Sequence, residues 1–355
     1  MKIAVYTIAK NEQSFVNTWA QSVLDADYRV VIDTGSTDQT VSALQAAGVT
    51  VHHMSLKPWR FDLARNVALS LLPADADVCI SMDMDECMAP GWRAALEAAW
   101  MPETTRLRYK YHTFYTDSQT PDLDYWADKI HARHNYVWKR PVHETVYCAG
   151  TEQVTSTAQV VMWHKPDSTK SRGQYMHLLE LSHKENPDCD QTLFWLAREY
   201  AHTQQPEQAV IYFKQLLNRP HVWHLERAES ERWLHKLLPH ETMRWIRQSV
   251  ATAPERREGW LDLAKLYYNQ QDWCNCYAAC VSALRISQPT HSYLDTQEVW
   301  GPILHDLAAV SAWNMGLKQQ SVQHAQQALA LSPQDGRLQN NLKVIEQAIN
   351  SKDVT

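Results

Sequence analysis

Asp83 and Asp85 close the run Val78-Cys79-Ile80-Ser81-Met82-Asp83-Met84-Asp85-Glu86. The run before them is apolar without alternation, the pattern of a strand buried on both faces. An extended backbone through the acids would point both carboxylates to one side. Two anions so placed repel each other unless a cation lies between them. A hard divalent ion such as Mg²⁺ or Mn²⁺, itself holding phosphate oxygens, fits that need. A solvated acidic turn is the alternative.

The elements ahead of this run place it. Residues 2–9 read as a strand, and Lys10-Asn11-Glu12 follow it. A helical run covers 14–24, and Arg29-Val30-Val31-Ile32 reads as a second strand ending in Asp33-Thr34-Gly35-Ser36-Thr37-Asp38. Gly35 supplies a turn, Ser36 to Asp38 can cap the next helix, and Gly48 suits its end. Val49 to His52 is a third strand. Strands and helices alternating in short units predict a parallel sheet covered on both faces. Ligands of such sheets bind beyond the carboxyl ends of the strands. Three polar clusters fall there: Lys10 to Glu12 and Asp33 to Asp38, where a base and ribose could lie, and Asp83 to Glu86, where phosphates and metal could lie. No G-x-G-x-x-G and no G-x-x-x-x-G-K-[ST] occurs, which argues against a dinucleotide enzyme or a P-loop NTPase.

Between the third strand and the acids, Ala64, Val67, Ala68 and Leu71 form a helical stripe with Arg65 and Asn66 off it. Arg65 is either a diphosphate clamp or a surface partner of Asp62. Ile8-Ala9-Lys10-Asn11-Glu12, Asp33 to Thr40, Arg65-Asn66 and Met82 to Glu86, in this order and spacing, resemble the successive signatures of family 2 glycosyltransferases with the GT-A fold. The resemblance covers roughly the first half of the chain; Thr34 stands where many members carry Asn. It implies an inverting transfer from a nucleotide-sugar donor. The implied donor contacts are Thr7, Ala9, Glu12, Asp33, Gly35, Arg65, Asp83 and Met84, with Lys170 and Arg172 covering the diphosphate or simply solvated. His143-Glu144 resembles a pair found late in the catalytic domain of the subgroup fused to helical repeats. Glu144 is then the candidate base, with His143 orienting it or serving instead. His164, at the end of the strand-like Val160 to Lys165, resembles the last metal-side ligand beside Asp83 and Asp85, and an imidazole there suits Mn²⁺ better than Mg²⁺. Each of these has a plain alternative: a surface His-Glu pair, and a histidine with a structural hydrogen bond. Residues 116–126 read as a polar loop in which Trp126 either stacks on an acceptor or anchors the loop.

From about Tyr175 the period is helical throughout. Ala197, Tyr200, Ala209, Phe213 and Leu216 recur in spacing as Ala264, Tyr267, Cys276, Cys280 and Ala283, and again as Ala309, Ala312, Ser321, Ala325 and Ala328. Small residues at helix crossings in this rhythm resemble tetratricopeptide repeats. The expected organisation is a Rossmann-like α/β GT-A domain over 1–175 and an all-α repeat domain of three to four helix pairs over 176–355, with 223–254 a degenerate unit.

The chain has 355 residues, enough for two cores at 45% hydrophobic content. No apolar run approaches a membrane span, and Met1-Lys2-Ile3 opens without a signal peptide's apolar stretch, so a soluble cytoplasmic protein is expected. Seven scattered cysteines read as free thiols. A net charge of −6 gives no global electrostatic case for nucleic acid. The expected partners are a UDP-sugar and a peptide, protein or glycan acceptor, with modified bases in DNA a weaker alternative and self-association through the repeats open. The reading of another class is a repeat scaffold carrying a degenerate nucleotide-binding domain.

Overall fold

A computed structural model describes residues 1–115, 120–167 and 175–350. The chain divides into two units, Met1–Asp188 and Cys189–Thr355. An α/β unit precedes an all-α unit of paired helices, the fold class expected from the sequence.

The first unit runs β1 (Ile3–Ala9), α1 (Val16–Ser22), β2 (Tyr28–Asp33), α2 (Thr40–Ala46), β3 (Thr50–His53), α3 (Phe61–Ser70) and β4 (Val78–Ser81). These four strands lie parallel in the order β3-β2-β1-β4. Beyond them come β5 (Glu86–Met88), α4 (Trp92–Ala99), β6 (Arg106–Thr113), β7 (Leu123–Ala132), β8 (Tyr136–Lys139), β9 (Thr145–Cys148), β10 (Val154–His164) and α5 (Tyr175–Glu185). Strands β7, β6, β10 and β5 extend the sheet past β4 to eight strands, while β8 and β9 pair separately. Successive strands from β1 step one way to β2 and β3, and β4 joins on the other side of β1. At such a reversal the ligands of open α/β sheets bind, here beyond the carboxyl ends of β1 and β4.

Both faces of the central strands are covered, as the unbroken apolar runs require. Val5, Ile80, Trp19, Leu44, Leu96 and Tyr109 form one layer. Ala4, Tyr6, Ile32, Cys79, Ala68, Leu72 and Trp138 form the other. Neighbours along β1 and β4 alternate between the two layers.

One boundary departs from expectation. Trp126 lies within β7 rather than in a loop, paired with Lys110 of β6, whose ammonium sits 4.9 Å from its ring centroid. Polar residues here occupy one side of a strand, Asp124 and Trp126 facing away from the layer that Tyr125 and Ala127 join. Polarity alone therefore mimics a loop.

A buried chain of hydrogen bonds joins β1, β7 and β8. The Trp138 indole donates to the Tyr6 hydroxyl at 2.7 Å, and Tyr6 meets His131 Nε2 at 3.0 Å. His131 Nδ1 lies 2.8 Å from the Ala132 carbonyl, which only accepts, so Nδ1 carries the proton and Nε2 accepts from Tyr6. His131 is fully buried, and burial lowers its pKa to about 4.

The second unit comprises α6 (Asp190–His202), α7 (Pro206–Leu217), α8 (His224–Leu237), α9 (Thr242–Thr252), α10 (Arg257–Asn269), α11 (Trp273–Leu284), α12 (Ile303–Asn314), α13 (Lys318–Leu331) and α14 (Gly336–Asn350). Helices α6–α7, α8–α9, α10–α11 and α12–α13 pack as consecutive pairs. Ala197, Ala209, Ala264, Cys280, Ala312 and Ala325 are buried where the helices cross. The irregular stretch 223–254 supplies the α8–α9 pair. There the Ser249 hydroxyl donates to the Ala228 carbonyl at 2.9 Å, as Ser321 does to Ala309 in α12–α13. Its poor match to the repeat follows from buried ions: Arg232 bonds Glu229 and Asp262, and Arg256 also reaches Glu229. No helix among the described residues is long and apolar enough to cross a membrane.

His131 ties stability of the first unit to pH. Its folded pKa is depressed, so the unfolded chain takes the proton first as pH falls through about 6.5. The stability lost between there and about pH 4 is on the order of 3 kcal/mol. Urea unfolding at several pH values should show a flatter dependence in His131→Phe than in wild type. Equal slopes would show that His131 does not remain neutral.

Candidate functional site

The carboxyl end of β4 carries a cluster of buried charge. Beyond Ser81 the chain does not stay extended. The Glu86 amide donates to the Asp83 carbonyl at 3.0 Å, closing a turn through Met84 and Asp85. This corrects the expectation of two carboxylates on one side of a strand. The turn sends Asp83 and Asp85 to different partners.

Asp83 meets two cations. Arg65 Nη2 lies 2.6 Å from Oδ1, and Lys129 Nζ lies 3.3 Å from Oδ2. Arg65 stands on α3, off its apolar stripe yet only 5% exposed. Its partner is not Asp62, which pairs with Arg60 at 2.9 Å. Arg65 Nε instead bonds Glu144 Oε1 at 2.5 Å, Nη1 bonds the Ser81 hydroxyl at 3.2 Å, and the guanidinium sits 5.1 Å from the Trp138 ring centroid. Burial would push the Asp83 carboxyl up, but Arg65 and Lys129 outweigh it and hold it far below the usual carboxylate range. Burial likewise opposes the charge on Arg65, and the Asp83 and Glu144 carboxylates reverse that and raise its pKa.

Neighbouring residues fix these partners. Asn66 makes a two-way bond with the Trp138 backbone, Nδ2 to its carbonyl at 2.9 Å and Oδ1 from its amide at 2.8 Å. This clamps β8 to α3 and sets Glu144, just before β9, against Arg65. Lys129 also bonds Glu86 Oε1 at 2.9 Å, and Glu86 accepts from the Tyr111 hydroxyl and, at 2.7 Å, from the Asp83 amide. Asp83 and Glu86 raise the Lys129 pKa well above its ordinary value against the opposing effect of burial.

Asp85 points elsewhere. Its Oδ2 lies 3.5 Å from His164 Nε2, at the end of β10. His164 pairs across the sheet with Glu86 of β5 and Thr113 of β6. Among the described residues Asp83 does not touch His164, and no group of three or more His, Cys, Asp or Glu converges to hold a metal ion. Asp85 and His164 together offer one carboxylate and one imidazole, a set that fits a borderline divalent ion.

The other expected donor contacts are partly used by their own loops. Asp33 accepts from the Gly35 amide at 3.1 Å and the Ser36 amide at 3.2 Å, with Gly35 at φ 108°. The Asn11 amide donates to the Ser36 hydroxyl at 2.9 Å and its side-chain oxygen accepts from the Thr37 amide at 2.8 Å, so the loops after β1 and β2 are zipped together. The Glu12 amide donates to the Thr40 hydroxyl at 2.7 Å. Thr34 bonds the Ala9 carbonyl through its amide at 2.9 Å and its hydroxyl at 3.1 Å. Thr7 is fully buried, and the Ala9 and Met84 side chains lie in the core, so a ligand could reach Met84 only through its backbone. His143 adopts φ 47°, with its ring 5.7 Å from that of Tyr175. Lys170 and Arg172 lie outside the described residues.

Lys129 and Tyr111 are the members of the cluster that sequence reasoning assigned no role, and Asn66 and Glu86 entered only as parts of longer signatures. Lys129 sits in a register irregularity of β7, between Ala127 and Ile130, both of which face the core. A bulge breaks the period of two and re-aims one side chain, so alternation along the strand could not find it.

No family model matches the chain, and no curated protein matches it. Among solved structures, the chain is similar to TarS of S. aureus at 13% identity and a TM-score of 0.38, covering 79% of this chain and 55% of that one. It is similar to a thermophilic TPR protein of Thermus thermophilus at 18% identity and a TM-score of 0.32, over 49% of this chain and 92% of that one. YrrB, a TPR protein with a peptide-binding site, is similar at 12% identity and a TM-score of 0.37, over 48% of this chain and 82% of that one.

Proposed function

We propose that the first unit is a metal-dependent, inverting glycosyltransferase that moves a sugar from a nucleotide donor, by preference a UDP-sugar, to a peptide, protein or glycan acceptor. The supporting observation is the convergence of Arg65, Asp83, Lys129 and Glu144, with the Asp85–His164 contact close by in the chain, past the end of β4 where the strand order reverses. Arg65, Asp83 and Glu144, which the resemblance singles out, are in contact although they are far apart in sequence.

Glu144 is the proposed base. Arg65 holds its Oε1, and among the described residues Oε2 has no partner, so Oε2 takes the acceptor's proton as the acceptor oxygen attacks the anomeric carbon. His143 is the neighbouring group that orients Glu144 or serves as the base instead. Asp85 and His164 would hold Mn²⁺ or Mg²⁺, which supplies Lewis-acid neutralisation of the departing diphosphate. Asp83, with a cation at each oxygen, serves to fix Arg65 and Lys129. Those two cations keep the acidic tip ordered in the absence of donor. Lys170 and Arg172 are assigned to the diphosphate by resemblance alone. The repeats of the second unit are the proposed acceptor-holding or self-association element.

Donor screening tests this reading. A UDP-sugar with Mn²⁺ should raise the melting temperature and be slowly hydrolysed, and Asp85→Ala should abolish the hydrolysis. Glu144→Gln should keep the donor-dependent shift while turnover falls about 10²–10⁴-fold. No response to any UDP-, GDP- or CMP-sugar with metal would favour the non-catalytic scaffold.

Arg65 has a structural consequence that is separable from activity. Arg65→Met leaves Asp83 without one of its two counterions and Glu144 without its partner. It should cost about 3–5 kcal/mol in urea unfolding, as removal of one member of a buried ion pair does. Arg65→Met unfolding at the wild-type midpoint would contradict the buried-pair geometry.

A further inference from the structure

Helices α12 and α13 are pinned in register by the Ser321 hydroxyl on the Ala309 carbonyl, at 2.9 Å. His324 follows Ser321 by three residues and His305 precedes Ala309 by four, so on antiparallel helices both fall one turn along on the same side. Their Nδ1 atoms are 3.0 Å apart. We infer that His305 and His324 form a two-imidazole site for a borderline divalent transition ion, of the zinc, nickel or copper class, closing the α12–α13 pair.

The spacing is the first argument. Imidazole nitrogens bind such ions at about 2.0–2.1 Å, which puts two adjacent ligands on one ion roughly 2.9–3.4 Å apart. The helix pair therefore already presents the nitrogens at the separation a shared ion needs. The hydrogen bond itself is the second: an Nδ1–Nδ1 contact requires one of the two rings to offer a bare Nδ1 lone pair. Without an ion, one Nδ1–H donates to the other Nδ1; with an ion, that proton moves to Nε2 of its own ring, and both Nδ1 lone pairs face the metal. No net proton is released.

The surroundings set the affinity. Both rings are partly exposed, so an ion and its waters can reach them. Tyr277 of α11 packs edge-on to His324 at 5.7 Å. Asp306 is engaged by Arg337 at 2.6 Å and Asn341 at 3.2 Å, and among the described residues no third His, Cys, Asp or Glu completes the set. Arg257, the nearby cation, is held by the Ile286 and Val299 carbonyls and lies 3.8 Å from the Trp300 ring centroid. Two protein ligands with water completing the shell bind more weakly than a full protein set, and borderline ions are preferred to Mg²⁺.

The test uses the full chain stripped with chelator, with excess Mg²⁺ present to occupy any oxygen-rich site. Titration with Cu²⁺ or Zn²⁺ in a His164→Gln background, which removes the imidazole beside Asp85, should show one equivalent whose affinity drops at least tenfold when either His305→Gln or His324→Gln is added, each checked for native helicity by circular dichroism. The Cu²⁺ complex should give a spectrum with two nitrogen ligands, and the melting temperature should rise by a few degrees only where both His305 and His324 remain. Unchanged stoichiometry and affinity in both folded variants would overturn the site and leave a His–His hydrogen bond. If a variant fails to fold, the nitrogen count in the His164→Gln spectrum decides: fewer than two also overturns it.

Discussion

A guanidinium withdrawn from water has to be compensated where it stands, and Arg65 is compensated by two carboxylates from distant parts of the chain. Asp83 arrives from the end of β4 and Glu144 from the start of β9. Moving such groups into a protein interior costs several kcal/mol per ion before any attraction is counted. The ion pairs are therefore weak evidence for net stability and strong evidence for geometric constraint. Only one arrangement of α3, β4 and the β8–β9 pair lets Arg65 meet Asp83, Glu144 and Ser81 together. The Asn66 clamp on Trp138 enforces that arrangement through neutral hydrogen bonds. The Trp138 indole then reaches Tyr6, linking the polar cluster to the central strand.

The same constraint divides labour between the two aspartates. In an extended strand they would share one environment and one role. The turn through Met84 buries the methionine side chain and separates the carboxylates. Asp83 becomes a counterion for two fixed cations, and Asp85 faces His164. One acid thereby supports the protein's own cations while its neighbour is placed beside a potential ion ligand. Glu86, only 2% exposed, joins Lys129 and Tyr111 and so anchors the far side of the turn.

What was legible beforehand follows from how local each signal is. The parallel strands and their helices could be read because burial on both faces leaves continuous apolar runs, and Gly35 and Gly48, both at positive φ, mark turns. The helix pairs could be read because close crossings require small residues at fixed spacing, and Ala264, Cys280 and Ala325 are buried as that rhythm demands. The partner of Arg65 could not be read, because Asp62 is close in sequence while Asp83 and Glu144 are near only after folding. Lys129 was hidden by a bulge, and Trp126 by polar neighbours on one side of a strand. The α8–α9 pair was obscured because charged residues, Glu229 and Arg232 among them, stand where a repeat ordinarily places apolar ones.

Loops after β1 and β2 show how a single residue can belong to both architecture and site. Asp33 caps its own turn through Gly35 and Ser36, and Asn11 locks that turn to the preceding loop. Each bond made to the backbone stiffens the rim of the proposed site and reduces the entropy that would be lost on ordering it around a ligand. A carboxylate accepts several hydrogen bonds at once, so capping does not exhaust Asp33. Preorganisation of this kind is what the proposed polar nucleotide site would require, since polar groups offer little apolar burial with which to offset ordering. The polar residues at the strand ends are therefore best understood as one rim, made rigid by its own hydrogen bonds, around the charged centre that Arg65 holds in place.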